Sequence, residues 1–162
     1  MGARREIRKG AYRLALETFR RMPRRARRAV VRAGSPTYTV GAVCAIVRDG
    51  EVLLLRQRHR DGWTLPGGLL DRGEDCDAAM RRELAEELRL EVDPGLPVTT
   101  LVDPYARRVD IVYRIDAYDG IEPRPRGEAL EASWVSPGVL RYDSIETMQI
   151  LGRLRQAQGG RL

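Results

Sequence analysis

Glu74, Arg82, Glu83, Glu86 and Glu87 lie within one short stretch, GGLLDRGEDCDAAMRRELAEELRL, running from Gly67 to Leu90. Like charges three or four residues apart on a helix repel, so E-x-x-E-E needs a physical reason. With Met80 at zero and about 100° per residue, Glu83, Glu87 and Glu86 fall at roughly 300°, 340° and 240°, and Met80, Leu84 and Leu88 at roughly 0°, 40° and 80°. The glutamates therefore line one edge of a buried stripe, at the rim of a cleft. Carboxylates gathered there resist desolvation unless a cation joins them. Hard divalent ions, Mg²⁺ above all and Mn²⁺ beside it, accept such oxygen ligands, and Mg²⁺ commonly brings a substrate phosphate into its shell. In isolation the same pattern also fits a solvated acidic face paired with Arg81, Arg82 and Arg89.

The wider spacing narrows this. From Gly68 there are five residues to Glu74 and seven more to Arg82, followed by Arg82-Glu83-Leu84-Ala85-Glu86-Glu87-Leu88-Arg89-Leu90. This resembles the Nudix box, G-x5-E-x7-R-E-U-x-E-E-x-G-U with U aliphatic, at every specified position but one. Trp63-Thr64-Leu65-Pro66-Gly67 is similar to the family's entry into that loop, and a weaker resemblance extends over about residues 38 to 155. The resemblance implies that Glu83, Glu86, Glu87 and the Gly68 carbonyl hold Mg²⁺ or Mn²⁺, that Arg82 orients Glu83, and that Glu74 braces the loop-helix-loop.

The reaction it implies is hydrolysis of a nucleoside diphosphate linked to another group, with a carboxylate taking the proton. ADP-ribose and nucleotide sugars come first as substrates; nucleoside triphosphates and 8-oxo-dGTP come second. The proton acceptor is a box glutamate or a later carboxylate, for which Glu128 and Glu131 stand just before Trp134, with Glu122 behind them. The contrasting class is a silent Nudix domain that binds nucleotides or regulates through its basic arm. Three mutually repelling carboxylates argue for the enzyme. Arg89 replaces the late glycine of the box. A side chain at a left-handed helix stop costs about 1 kcal/mol, which predicts an altered helix exit and not a dead site.

Pro104 and Tyr105 lie 14 and 15 positions past Leu90. Residues near this spacing separate the family's subgroups, and the pair resembles both the proline of ADP-ribose hydrolases and the tyrosine of dinucleoside polyphosphate hydrolases. Arg56, Arg58 and Tyr105 are the substrate-binding candidates. Arg107 and Arg108 could also meet phosphates, and a Pro-Tyr turn between strands is the plainer use of Tyr105.

These residues need elements to position them. Thr37 to Val47 is rich in β-branched residues, Asp49-Gly50 marks a hairpin turn, and EVLLLRQ resumes as a buried strand. A glycine turn then leads into the acidic helix, which ends near Leu88. RVDIVYRID and ALEASWV read as further strands. Asp143-Ser144 could cap a last helix bearing Ile145, Met148, Leu151 and Leu154. Strands and helices in this order make an α/β (α+β) fold, and the resemblance implies the Nudix α-β-α sandwich with a mixed sheet.

The remaining charge sits elsewhere. Residues 1–33 hold 12 Lys and Arg against 2 Glu, while the rest of the chain holds 17 against 21. The expected division is therefore a basic helical arm over 1–35 and a Nudix domain over 36–162. REIRKGAYRLALETFRRM carries Ile7, Ala11, Leu14 and Phe19 at helical spacing; Pro23 interrupts it, and RRARRAVVRAG forms a second helix ending at Gly34. The arm's apolar stripe suits packing on the domain or a homodimer, and its charge suits a membrane surface or RNA phosphates. Cys44 and Cys76 form no C-x-x-C pair and read as buried thiols. His59, the only histidine, reads as a loop residue. No run approaches the roughly 18 apolar residues of a membrane span, which predicts a soluble, cytoplasmic protein acting on a small-molecule nucleotide.

Overall fold

The computed structural model describes residues 2–118, 121–140 and 144–160, and the backbone alone for 2–11. The chain forms two compact units, Met1–Thr37 and Tyr38–Leu162. In the first, α1 (Gly2–Arg21) and α2 (Arg24–Gly34) are divided by Pro23, which stands at the N-cap of α2 with an extended ψ of 150°. Proline has no amide hydrogen to continue the ladder of α1, and its carbonyl accepts the Arg27 amide to start α2.

The second unit is built on β1 (Thr39–Arg48), β2 (Glu51–Gln57), β3 (Gly67–Leu69), β4 (Thr99–Asp103), β5 (Arg108–Asp116) and β6 (Ala129–Val135). The sheet order is β4-β5-β1-β2-β6, with β3 also paired to β1. Among the described residues only β1 and β5 run parallel, from Thr39↔Arg108 to Val47↔Asp116. The sheet is mixed, as expected. Because β1 is covered on both faces, it reads as a continuous apolar run. Ala42, Cys44 and Ile46 pack beneath α3 (Cys76–Leu88), with its Met80, Leu84 and Leu88. Val43, Ala45 and Val47 pack beneath α4 (Ile145–Ala157), with its Ile150, Leu151 and Leu154. Helix, sheet and helix make the three layers.

The Asp49-Gly50 turn is observed, both residues taking positive φ, at 52° and 80°. From there β1 and β2 stay paired only at Val47↔Val52 and Arg48↔Glu51 before they diverge. The segment 64–69, which ends in β3, fills the resulting fork. It pairs with β2 through Leu55↔Thr64 and with β1 through Gly41↔Leu69, Ala42↔Gly68 and Val43↔Gly67. The glycine turn expected from sequence is thus partly a strand, wedged where the sheet opens.

Three other expectations change. Strand β4 is not among the expected strands: its burial alternates between half-buried and exposed, but its residues, TTLVD, put one apolar side chain on each face and so show no apolar alternation in sequence. In α4, Ile145 and Met148 are exposed and the buried face is Thr147, Ile150, Leu151 and Leu154. Residues three apart drift by about 60° per step, so a strict three-residue stripe walks off the core. Ser144 is the N-cap residue, and its hydroxyl accepts the Trp63 amide at 3.0 Å; Asp143 lies outside the described residues. Cys44 is buried, its thiol pushed up to about 12 by burial, whereas Cys76 at the start of α3 is only half-buried.

Candidate active site

The fork delivers Gly67 and Gly68 against α3. Gly67 takes a φ of 139° with its α-carbon pressed on β1, where a side chain would overlap the Ala42 carbonyl and lie 2.8 Å from Val43 Cα. At Gly68 the space of the missing side chain is taken by the Glu83 carboxylate. Glycine is required twice here, first by backbone and then by an acid.

Asp75 starts α3 by accepting the Ala78 amide at 2.9 Å. On the helix the burial of the glutamates follows their angle from the apolar stripe. Glu87, nearest to it, is 5% exposed; Glu83 is half-buried; and the Glu86 side chain is 63% exposed. Glu87 accepts from the Gly67 amide at 2.8 Å and from Gln57 Nε2. Burial pushes its carboxyl up to about 7, and the neighbouring Glu83 charge adds to that against the pull of these two donors. Burial also raises Glu83, opposed by Arg82. The charges of Glu86 and Glu74 add to the rise at Glu83.

Arg82 organises the entrance. Its Nε and Nη2 donate to the two oxygens of Glu74 at 3.0 Å each, and Nη2 also reaches the Leu69 carbonyl at 3.1 Å. From Nη1 it donates to Glu83 at 2.7 Å and to Glu86 at 3.4 Å. Glu74 is held below its ordinary pKa first by Arg82 and then by the Asp71 amide. The guanidinium thus fastens β3, the following loop and α3 together. Among the described residues no three of His, Cys, Asp and Glu converge as a ready-made metal set. With Glu86 turned toward Arg82 and solvent, the inner pair is Glu83 and Glu87.

The altered helix exit expected from Arg89 is not seen, because the backbone keeps the left-handed stop despite the side chain. Arg89 is left-handed at φ 57° and ψ 32°, with its amide on the Ala85 carbonyl and the Leu90 amide on that of Leu84. Beyond it, the Arg124 and Arg126 amides bond the carbonyls of Leu88 and Glu87, laying the segment before β6 along this end of α3.

The remaining candidates are scattered. Glu131 is exposed on β6, opposite Arg56 of β2. Strand alternation puts it on the α4 face of the sheet with Val135, away from α3. Glu128 precedes β6 and faces His59 Nδ1 at 3.2 Å, in the turn just beyond Gln57. Arg56 is exposed, its guanidinium 5.8 Å from the Trp63 ring centroid, and Arg58 is exposed in the turn after β2. Tyr105 is 98% exposed in the β4–β5 turn. It lines a groove of about 410 Å³ with Gln149 and Arg153 of α4, apart from the glutamates. Arg108 is engaged with Asp110 and Glu146. Sequence reasoning missed Gln57 and Thr64, which brace Glu87 from β2 and the fork, Thr64 Oγ1 lying 3.5 Å from Gln57 Oε1. A polar residue ending the apolar run EVLLLRQ was the available signal.

The comparisons with known proteins converge on one family. The NUDIX domain model matches residues 37–151. A MutT-like protein of Streptomyces ambofaciens is 33% identical over 106 residues, covering 63% of this chain and 66% of the relative. The NAD-capped RNA hydrolase NudC of Erwinia tasmaniensis is 30% identical over 112 residues, covering 68% of this chain and 41% of the relative. The chain thus spans less than two thirds of either relative's length. Among solved structures, a MutT NUDIX hydrolase from Burkholderia pseudomallei superposes with a TM-score of 0.58 at 26% identity, over 72% of this chain and 99% of that one. An ADP-ribose pyrophosphatase from Streptococcus suis gives 0.59 at 25% identity, over 75% and 92%. With the box on α3, the fork that carries its glycines and the match over 37–151 all in agreement, the chain belongs to the Nudix family.

Proposed function

We propose that the chain is a divalent-metal-dependent pyrophosphohydrolase that cleaves the anhydride of a nucleoside diphosphate linked to another group. The observation that carries this is the pair Glu83 and Glu87, two desolvated carboxylates pressed on a glycine turn and both raised in pKa. Arg82 is shared with Glu74, so the protein's own cation leaves the inner pair under-compensated. Oxygen donors with surplus negative charge fit a hard divalent ion. Glu83, Glu86, Glu87 and the Gly68 carbonyl would hold Mg²⁺ or Mn²⁺. When bound, the ion supplies charge neutralisation for the diphosphate and polarisation of the attacking water.

The chain's residues do the rest. Arg82 fixes Glu83, and Glu74 in turn fixes Arg82. Gln57 and the Gly67 amide set the orientation of Glu87. For a proton acceptor outside α3, Glu128 is the better placed, because its segment is bonded to the end of α3, whereas Glu131 lies on the opposite face of the sheet. Arg58, exposed in the turn after β2, carries a guanidinium group suited to substrate phosphates, whereas Arg56 shares the face of Glu131.

Adenosine diphosphate derivatives come first as substrates. The NudC relatives are named for NAD-capped RNA and the Streptococcus suis structure for ADP-ribose, and both compounds join ADP to another group through its diphosphate. Nucleoside triphosphates and 8-oxo-dGTP come second, on the MutT likeness.

The test is hydrolysis of a panel of ADP-ribose, NADH, nucleotide sugars, NAD-capped RNA, nucleoside triphosphates and 8-oxo-dGTP with Mg²⁺ or Mn²⁺. Efficient cleavage of an ADP derivative, lost by a factor of about 100 or more in Glu87→Gln, is the expected result. Unchanged turnover in that variant would remove Glu87 from the site. No cleavage by the native chain would favour the silent binding module.

A further inference from the structure

The arm carries charge and exposed apolar surface that the hydrolytic site does not use. Residues 12–34 contain eight arginines and a single acid, Glu17. Four of the five arginines of α2 share a face: at about 100° per residue, Arg24, Arg25, Arg28 and Arg32 fall within one arc of roughly 100°, with Arg27 beyond its edge. Ala26, Ala29, Val30 and Ala33 fall within an equal arc opposite. Along α1, Tyr12, Ala15, Leu16 and Phe19 share another such arc. Tyr12 and Leu14 are each 66% exposed, and Leu16, Val30 and Val31 are also exposed. Within this unit a groove of about 610 Å³ is lined by Phe19 and Val31 together with Arg24, Arg27, Arg28 and Arg32.

We propose that α1 and α2 form a docking surface for an anionic lipid bilayer, with the apolar side chains at headgroup depth and the arginines on lipid phosphates. Guanidinium groups pair with phosphate oxygens two bonds at a time, and their stems stay apolar, so arginine can ring a greasy patch without leaving it. A basic amphipathic helix with exposed leucine, valine and tyrosine suits an interface where charge and apolar area act together. A nucleic-acid backbone would satisfy the arginines and leave Leu14, Leu16, Val30 and Val31 in water. A second copy of the arm would set eight arginines against eight. No helix of the described chain is long and apolar enough to cross a membrane, so the contact is with a surface.

The experiment is cosedimentation of the full chain with vesicles of phosphatidylcholine alone and of phosphatidylcholine mixed with phosphatidylglycerol. Binding should be at least about tenfold stronger on the anionic vesicles and should weaken as salt rises from about 0.1 M to about 0.5 M. The triple variant Arg24→Gln, Arg28→Gln, Arg32→Gln should lose about tenfold or more, and the matching triple Arg→Lys variant should keep most of it. Leu16→Ser with Val31→Ser, which leaves the charge untouched, should also bind several-fold more weakly; circular dichroism checks that each variant keeps its helices. Equal binding to both vesicle types, no vesicle binding, or indifference to the serine changes would overturn the proposal. Capture of a single-stranded RNA with no vesicle binding would overturn it in favour of nucleic acid.

Discussion

Glu87 holds its proton far more tightly in the folded chain than an ordinary carboxyl does, and this makes stability depend on pH. Its pKa rises from 4.5 to about 7, so between these values the folded protein keeps a proton that the unfolded chain has released. In metal-free protein, stability should therefore fall as pH rises through that window, with the whole penalty present above about 7. It is on the order of 3 kcal/mol. Thermal unfolding in a chelator at pH 5 and pH 8 measures it; a flat profile would show that Glu87 is not desolvated. Glu87→Gln should remove most of the slope and, at pH 8 without metal, raise the melting temperature while hydrolysis is lost. Added Mg²⁺ should stabilise the native chain and leave the variant largely unmoved.

The two glycines of β3 differ in what they protect, and that difference is an element-scale prediction. Gly67→Ala drives a methyl group into the backbone of β1 at a φ that L-residues rarely adopt, so it should cost several kcal/mol and lower the melting temperature sharply. Gly68→Ala meets only the end of the Glu83 side chain, which can swing away. It should leave the fold nearly intact, within about 1 kcal/mol, and reduce turnover by tenfold or more. Equal effects of both changes on stability would contradict this division. At the other end of α3, Arg89→Gly should stabilise by about 1 kcal/mol through relief of the left-handed cap, with activity retained.

The glutamate helix was legible in the sequence because its amphipathic angle is a local property: the order Glu87, Glu83, Glu86 on the wheel is their order of burial. Its exit was not: Arg89 in the place of a glycine pointed to an altered stop, yet the backbone keeps the left-handed turn, which the bonds of the Arg89 and Leu90 amides to Ala85 and Leu84 hold. Gln57 and Thr64 were not legible either, because their value comes from Glu87, 30 positions from Gln57 along the chain and brought near only by the fork between β1 and β2. Glu131 failed to join the glutamates for the same kind of reason. One residue of strand register decides which face a side chain takes, and register is set by the partner strand. In β4 burial alternates but residue type does not, since TTLVD sets Leu101 on one face and Val102 on the other.

At the scale of the molecule, Tyr38–Leu162 has its own two-sided core and should fold without the arm. A chain of residues 36–162 should unfold cooperatively within a few degrees of the full-length protein and hydrolyse the same substrate; an aggregated or molten product would assign the arm a structural role. Within that unit, the reacting end is laced into the sheet and α3 by the Gly67 amide, Gln57 and the five contacts of Arg82. The turns at 58–62 and 104–107, by contrast, present exposed Arg58, His59, Tyr105 and Arg107 from the ends of strands. A lineage can therefore exchange the turn side chains at little energetic cost while any change near Arg82 is penalised at once. What the protein accepts is free to drift among descendants, and what it does to the accepted molecule is not.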